Sequence, residues 1–116
     1  MKKYRRIPDN IQAEIFKLGM EDGWTIEYSG FYYYCKEFET KQECLNFIKN
    51  DEGKLDCYPE ERELEIVYEE PIPFIRTIET EYDVKEGDYI IVGDKGERLR
   101  VVDKNTFEMN YELVKE

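Results

Sequence analysis

Three sets of residues in this sequence have types and spacings suited to recognising another molecule. The first is a series of carboxylates, Glu63, Glu65, Glu79, Glu81 and Asp83, interleaved with apolar residues. Along an extended chain, alternate side chains share a face about 6.6–7 Å apart, close to the phosphate spacing of a nucleic-acid strand. Such a face could imitate that strand and occupy a basic groove on a nucleic-acid-binding protein. The second set is the run Phe31, Tyr32, Tyr33 and Tyr34. Exposed tyrosines give large contact area for little entropy and can stack on a base. The third is Arg98 with Arg100, which from one regular strand would point the same way and could grip a phosphate or carboxylate.

Each set also has a plain structural reading. Charges on the outer face of a half-buried strand ordinarily just solubilise it, and alternate rings of an aromatic strand divide between core and surface. The two arginines could simply balance nearby acids.

Catalytic chemistry is poorly provided for. The chain has no histidine, which removes the commonest general base, the commonest metal ligand and any nucleophile that depends on imidazole. Cys35, Cys44 and Cys57 are an odd set without a Cys-x-x-Cys pair, so they read as reduced thiols, with Cys44 in a core. With 28 acidic residues, carboxylate pairs arise by chance, and no motif singles out an acid and a base. Asp94, Glu97 and Asp103 lack the spacing of a calcium loop. Gly87, Gly93 and Gly96 are not followed by the lysine and hydroxyl residue of a phosphate loop, and read as turn glycines. The sequence therefore predicts a non-enzymatic protein with no cofactor and no metal.

Bulk properties bound the molecule that positions these residues. A chain of 116 residues with 41% hydrophobic and 15% aromatic content predicts one domain, 1–116, with a true core. The net charge is −11 and unevenly spread. Between Glu60 and Asp88 there are 3 basic and 11 acidic residues, a net −8, which disfavours direct nucleic-acid binding. No apolar stretch follows the basic start and none approaches a membrane span, so a cytoplasmic protein that does not engage a membrane is expected.

The elements expected are those of an α+β fold: a small, antiparallel, β-rich domain with one main helix at about 40–50 and a C-terminal hairpin. Lys3 to Ile7 reads as a strand ended by Pro8; Ile11, Ile15 and Leu18 fit helical spacing behind an Asp9 cap, but the alternation of Ile11, Ala13 and Ile15 favours a second strand. Trp24, Ile26 and Tyr28 alternate ahead of Ser29-Gly30 and a strand from Phe31 to Phe38, which predicts a hairpin. Thr40 with Glu43 makes a capping box for a helix whose apolar face is Cys44, Leu45, Phe47 and Ile48. A loop through Pro59 is expected, then a strand with Leu64, Ile66 and Tyr68 on its inner face. After Pro73 another strand should put Ile78, Thr80, Tyr82 and Val84 on one side and Glu79, Glu81 and Asp83 on the other. Tyr89–Val92 and Glu97–Val102 flank Gly93-Asp94-Lys95-Gly96 as the hairpin. Asp103 caps a last helical turn that sets Tyr111 beside Phe107.

Two blocks of residues resemble a large group of small phage and prophage proteins. One is Tyr4-Arg5, Pro8, Ile11, Ala13 and Phe16. The other is Ile75, Thr77, Val84, Gly87-Asp88-Tyr89-Ile90, Gly93, Gly96-Glu97, Phe107 and Tyr111. Glu86 stands where the group usually has proline, and Arg98-Leu99-Arg100 replaces its aromatic-proline segment. The region from Gly19 to Pro71 has no counterpart. The resemblance implies a phage or prophage origin and supplies no activity.

These readings converge on an accessory protein acting in the host cytoplasm. It would bind and inhibit a host protein, such as a defence nuclease, through its acidic face. The alternatives are a sequestering protein that captures a nucleotide or other small ligand with Tyr32, Tyr33, Tyr34, Arg98 and Arg100, including at an interface in a homo-oligomer, and a structural virion protein.

Overall fold

Alternating apolar residues, turn glycines and two capped helices account for most of the architecture. The computed structural model describes residues 2–5 and 10–113. In chain order the strands and helices are β1 (Lys2–Arg5), β2 (Asn10–Ile15), β3 (Gly23–Ser29), β4 (Tyr33–Phe38), α1 (Lys41–Lys49), α2 (Glu52–Asp56), β5 (Val67–Tyr68), β6 (Ile72–Arg76), β7 (Glu81–Asp83), β8 (Tyr89–Val92), β9 (Arg98–Val102), α3 (Lys104–Asn110) and β10 (Glu112–Leu113). A single 3-10 turn, Pro59–Glu61, follows α2. The fold is α+β, with its main helix at 41–49 and a C-terminal hairpin, as the patterning predicts. The chain divides into two compact units, unit 1 formed by 1–21 with 75–116 and unit 2 by 22–74.

Unit 1 is built on the antiparallel order β10-β1-β2-β8-β9. Strand β8 is apolar at all four positions because both of its faces are covered. Tyr89 and Ile91 pack with Tyr4, Ala13 and Phe107. Ile90 and Val92 pack with Phe16, Ile75 and Val84. Gly87 (φ 96°) and Gly96 (φ 81°) supply left-handed turn residues on either side of β8. Asp103 caps α3 by accepting from the Thr106 amide at 3.4 Å, and Tyr111 stacks on Phe107 with centroids 4.4 Å apart.

Unit 2 pairs β3 with β4 on one side and with β5 and the start of β6 on the other. The inner residues of β3, Trp24, Ile26 and Tyr28, are buried. Ile26 and Tyr28 pack with Phe47 of α1 and with Cys57 and Ile66. Thr40 caps α1 by accepting from the Glu43 amide at 3.2 Å.

Several expectations are corrected. Leu45 is 41% exposed, so the buried face of α1 is carried by Cys44 and Phe47. The loop expected after α1 contains α2 and the 3-10 turn. Strand pairing near Leu64 is confined to Val67–Tyr68, with a turn before it. The long strand through 78–84 is broken at Thr77–Thr80. There the Thr77 hydroxyl accepts from the Glu79 and Thr80 amides at 3.3 and 3.2 Å, and Thr77 N donates to Thr80 O at 2.9 Å. A threonine offering the backbone this local alternative outcompetes the ladder and leaves Ile78 exposed. Ile7 and Pro8, the expected end of the first strand, lie outside the described residues.

A candidate recognition surface on a buried carboxylate

Glu61 is completely buried, an unusual state for a carboxylate. Its Oε1 accepts from the amides of Phe31 (2.7 Å) and Tyr32 (3.0 Å). Its Oε2 accepts from the Tyr58 amide (3.2 Å) and from the Tyr34 hydroxyl. Burial alone would push the Glu61 carboxyl up, but these four donors outweigh it and hold the group below its ordinary value. Burial and the bond to Glu61 push the Tyr34 phenol upward.

Two further phenol–carboxylate bonds repeat the arrangement. Tyr28 donates to Asp56 at 3.3 Å, and burial followed by that carboxylate pushes its pKa to about 12. Tyr68 donates to Asp51, and burial and that bond raise it too. The strands of unit 2 thus contribute the hydroxyls and segment 51–61 the acceptors. Gly53 lets α2 sit directly on the rings: a Cβ there would lie 2.8 Å from Tyr68 and 2.9 Å from Tyr28.

The Glu61 cage explains why β4 starts at Tyr33 and not at Phe31. The Phe31 and Tyr32 amides are turned onto the carboxylate, and their side chains are turned outward. Phe31 and Tyr33 are 70% and 73% exposed. Tyr32 and Tyr58 are exposed as well, in edge contact at 5.5 Å. Register adds Val67, because Ser29 pairs with Tyr33 on one side and Val67 on the other. Aromatic rings whose backbone is tied to a buried carboxylate offer contact area at a reduced backbone ordering cost, which suits recognition. Unit 2 is also the charged part of the chain, with 5 basic and 14 acidic residues, a net −9; unit 1 has 12 and 14, a net −2.

The residues singled out by sequence are distributed as follows. Glu63, Glu65, Glu79, Glu81 and Asp83 are all exposed. Glu63 and Glu65 precede β5 in unit 2, Glu79 lies in the Thr77–Thr80 turn, and of the five only Glu81 and Asp83 occupy a strand. Glu81 is engaged by Arg76 at 3.0 Å. One continuous ladder of evenly spaced carboxylates is therefore not formed. Tyr32 and Tyr33 point outward, whereas Tyr34 is committed to Glu61.

Arg98 and Arg100 do not form a pair. A bulge in the β8–β9 register sets Arg98 opposite Val92 and Arg100 opposite Ile91. Val92 and Ile91 face opposite sides of the sheet, so the extra residue sends the two guanidiniums to opposite faces. Arg98 donates to the Met20 carbonyl at 3.4 Å, and Arg100 to the Tyr111 hydroxyl at 3.2 Å. Cys44 and Cys57 are buried and Cys35 is exposed, all three as free thiols. Burial pushes the Cys44 thiol up to about 11.

Among the described residues no cluster of acids and cysteines could hold a metal ion, and no helix is long and apolar enough to cross a membrane. Glu61 escaped the sequence reading because it is one of many acids in a glutamate-rich stretch. The only local signal, Tyr58-Pro59 ahead of it, marks a turn and not a buried anion. Comparisons with protein-family models, with curated proteins and with solved structures return no match. The class defined by fold and site is a small two-unit α+β protein with an acidic, aromatic-tipped unit.

Proposed function

We propose that the protein is a non-enzymatic binding protein of phage or prophage type that inhibits a host protein by docking unit 2 on a basic surface. The observation that supports it most is the set of outward rings at 31–33 and 58, with the backbone amides of 31, 32 and 58 tied to the buried Glu61, in a unit carrying a net −9. Aromatic anchors surrounded by charge are the usual energetic centre of a protein interface, while the charge steers the encounter. The segment that lacks a counterpart in the phage-protein resemblance, 19–71, nearly coincides with unit 2. The element peculiar to this chain is thus the one with the recognition chemistry. The mimicry reading narrows accordingly, from a strand-spaced ladder to the acidic surface around the rings, Glu63 and Glu65 included.

The test is capture of a partner from host lysate by immobilised protein, followed by affinity measurements against salt. Phe31→Ala with Tyr33→Ala should weaken binding at least about a hundredfold, since buried aromatic anchors carry about 2 kcal/mol or more each. Glu63→Lys with Glu65→Lys should slow association and flatten its salt dependence. Unchanged affinity in both variants would reject unit 2 as the interface.

A further inference from the structure

In unit 1, a cleft of about 300 Å3 lies along β9 and α3, lined by Arg100, Val102, Thr106, Asn110 and Tyr111. In a chain with 28 acidic and 17 basic residues, an arginine would be expected to find a carboxylate. Among the described residues Arg100 pairs with none; its hydrogen bond is the one to the Tyr111 hydroxyl. A guanidinium has five N–H donors, so most of this fork remains available, and the bond to the phenol oxygen leaves the phenol's own proton to be donated.

The other lining groups add donors. Thr106 contributes a hydroxyl and Asn110 an amide whose nitrogen already donates to the Thr106 carbonyl at 2.8 Å. That bond, with the Tyr111 amide on the Phe107 carbonyl at 2.9 Å, engages two carbonyl oxygens of α3 beside the cleft. Tyr111 also ends a column of parallel rings. Tyr89 stacks on Phe107 at 3.8 Å and Phe107 on Tyr111 at 4.4 Å, and Tyr111 lines the cleft whereas Phe107 does not.

We infer that this cleft is a binding site for a small phosphate monoester of mononucleotide size. Three terminal oxygens match the convergent donors of Arg100, Tyr111 and Thr106 better than the two of a carboxylate. The volume is at the small end of ligand sites. The site is independent of the unit 2 surface, so either can fail alone.

The experiment is thermal stabilisation of the whole protein by adenosine monophosphate and by ribose 5-phosphate, against chloride at matched ionic strength, with amide chemical shifts followed by NMR. A saturable rise in Tm is expected with either phosphate and not with adenosine, with shifts centred on Thr106 and Asn110. Arg100→Gln should raise Kd about tenfold or more, since hydrogen bonds to charged groups are the strong ones. Tyr111→Phe should weaken binding less, and Arg98→Gln, on the opposite face, should leave it unchanged. Arg100 is exposed, so Arg100→Gln should melt near the wild type without ligand. No saturable rise, equal stabilisation by adenosine, or full retention of binding in Arg100→Gln would each overturn the site.

Discussion

The two units solve the problem of folding an acidic chain in different ways. Unit 1 is held by aliphatic and aromatic clusters on both faces of a sheet, and the chemistry of its acids is largely local, as where the buried Asp88 accepts from the Lys85 amide at 3.0 Å. Unit 2 has a net −9 and turns three carboxylates into structural acceptors, each receiving a tyrosine hydroxyl. Hydrogen bonds to an ionised acceptor are stronger than neutral ones, and a buried carboxylate is tolerated when its lone pairs are satisfied. The difference shows how a charge-rich segment keeps a core: Glu61 is drawn fully inward, Asp51 and Asp56 hold tyrosine hydroxyls from exposed positions, and most of the other acids stay in water.

Alkali should separate the units most. Tyr28, Tyr34 and Tyr68 of unit 2 have raised values, against Tyr89 in unit 1, so folding favours the protonated phenol at more positions in unit 2. That contribution is fully present below the ordinary tyrosine value of 10.0 and is lost as pH rises through the folded value, about 12 for Tyr28. The sign for Glu61 is opposite: its stabilisation is present above the ordinary 4.5 and is lost as pH falls through its lowered value. Trp24, buried in unit 2, is the single tryptophan, so its emission maximum reports this unit; the Met20 methyl resonance reports unit 1. Trp24 should shift to the red at a lower pH than the one at which Met20 changes. Simultaneous transitions would erase the distinction between the two modes of stabilisation.

A single core truncation should produce the next largest effect. Phe107 is buried between Tyr89 and Tyr111, so Phe107→Ala should cost unit 1 about 3–5 kcal/mol. In thermal melts the Met20 signal should move to lower temperature ahead of Trp24 emission. An equal displacement of both would make the two units one cooperative structure.

The smallest effect sharpens the role of the latches. Tyr68→Phe removes only the hydroxyl that reaches Asp51 and should cost about 0.5–1.5 kcal/mol. Tyr33→Phe, at an exposed ring, should stay within about 0.5 kcal/mol. Urea denaturation followed by Trp24 emission measures both, and equal values would mean that the phenol–carboxylate bonds contribute nothing beyond surface chemistry.

The sequence by itself determined what is encoded over a few residues. Alternation at Trp24, Ile26 and Tyr28, the Thr40 cap, the turn around Gly93 to Gly96 and the Asp103 cap with Phe107 and Tyr111 each place their own element, because a period or a cap is a local property of the chain. Tertiary structure decided everything that depends on a distant partner. Glu61 differs from the neighbouring Glu60 and Glu63 in being met by the amides of 31 and 32 and the Tyr34 hydroxyl, roughly thirty residues away in sequence, besides the nearby Tyr58 amide. The division of Arg98 from Arg100 needs a bulge visible only in the β8–β9 register. The break at Thr77–Thr80 joins a local bond to the Thr77 hydroxyl with a distant one, the Ile78 amide donating to the Arg98 carbonyl at 3.1 Å. Which acid is buried, and which arginine meets no carboxylate among the described residues, is fixed by what folding brings opposite each side chain, and a string of residue types does not contain that.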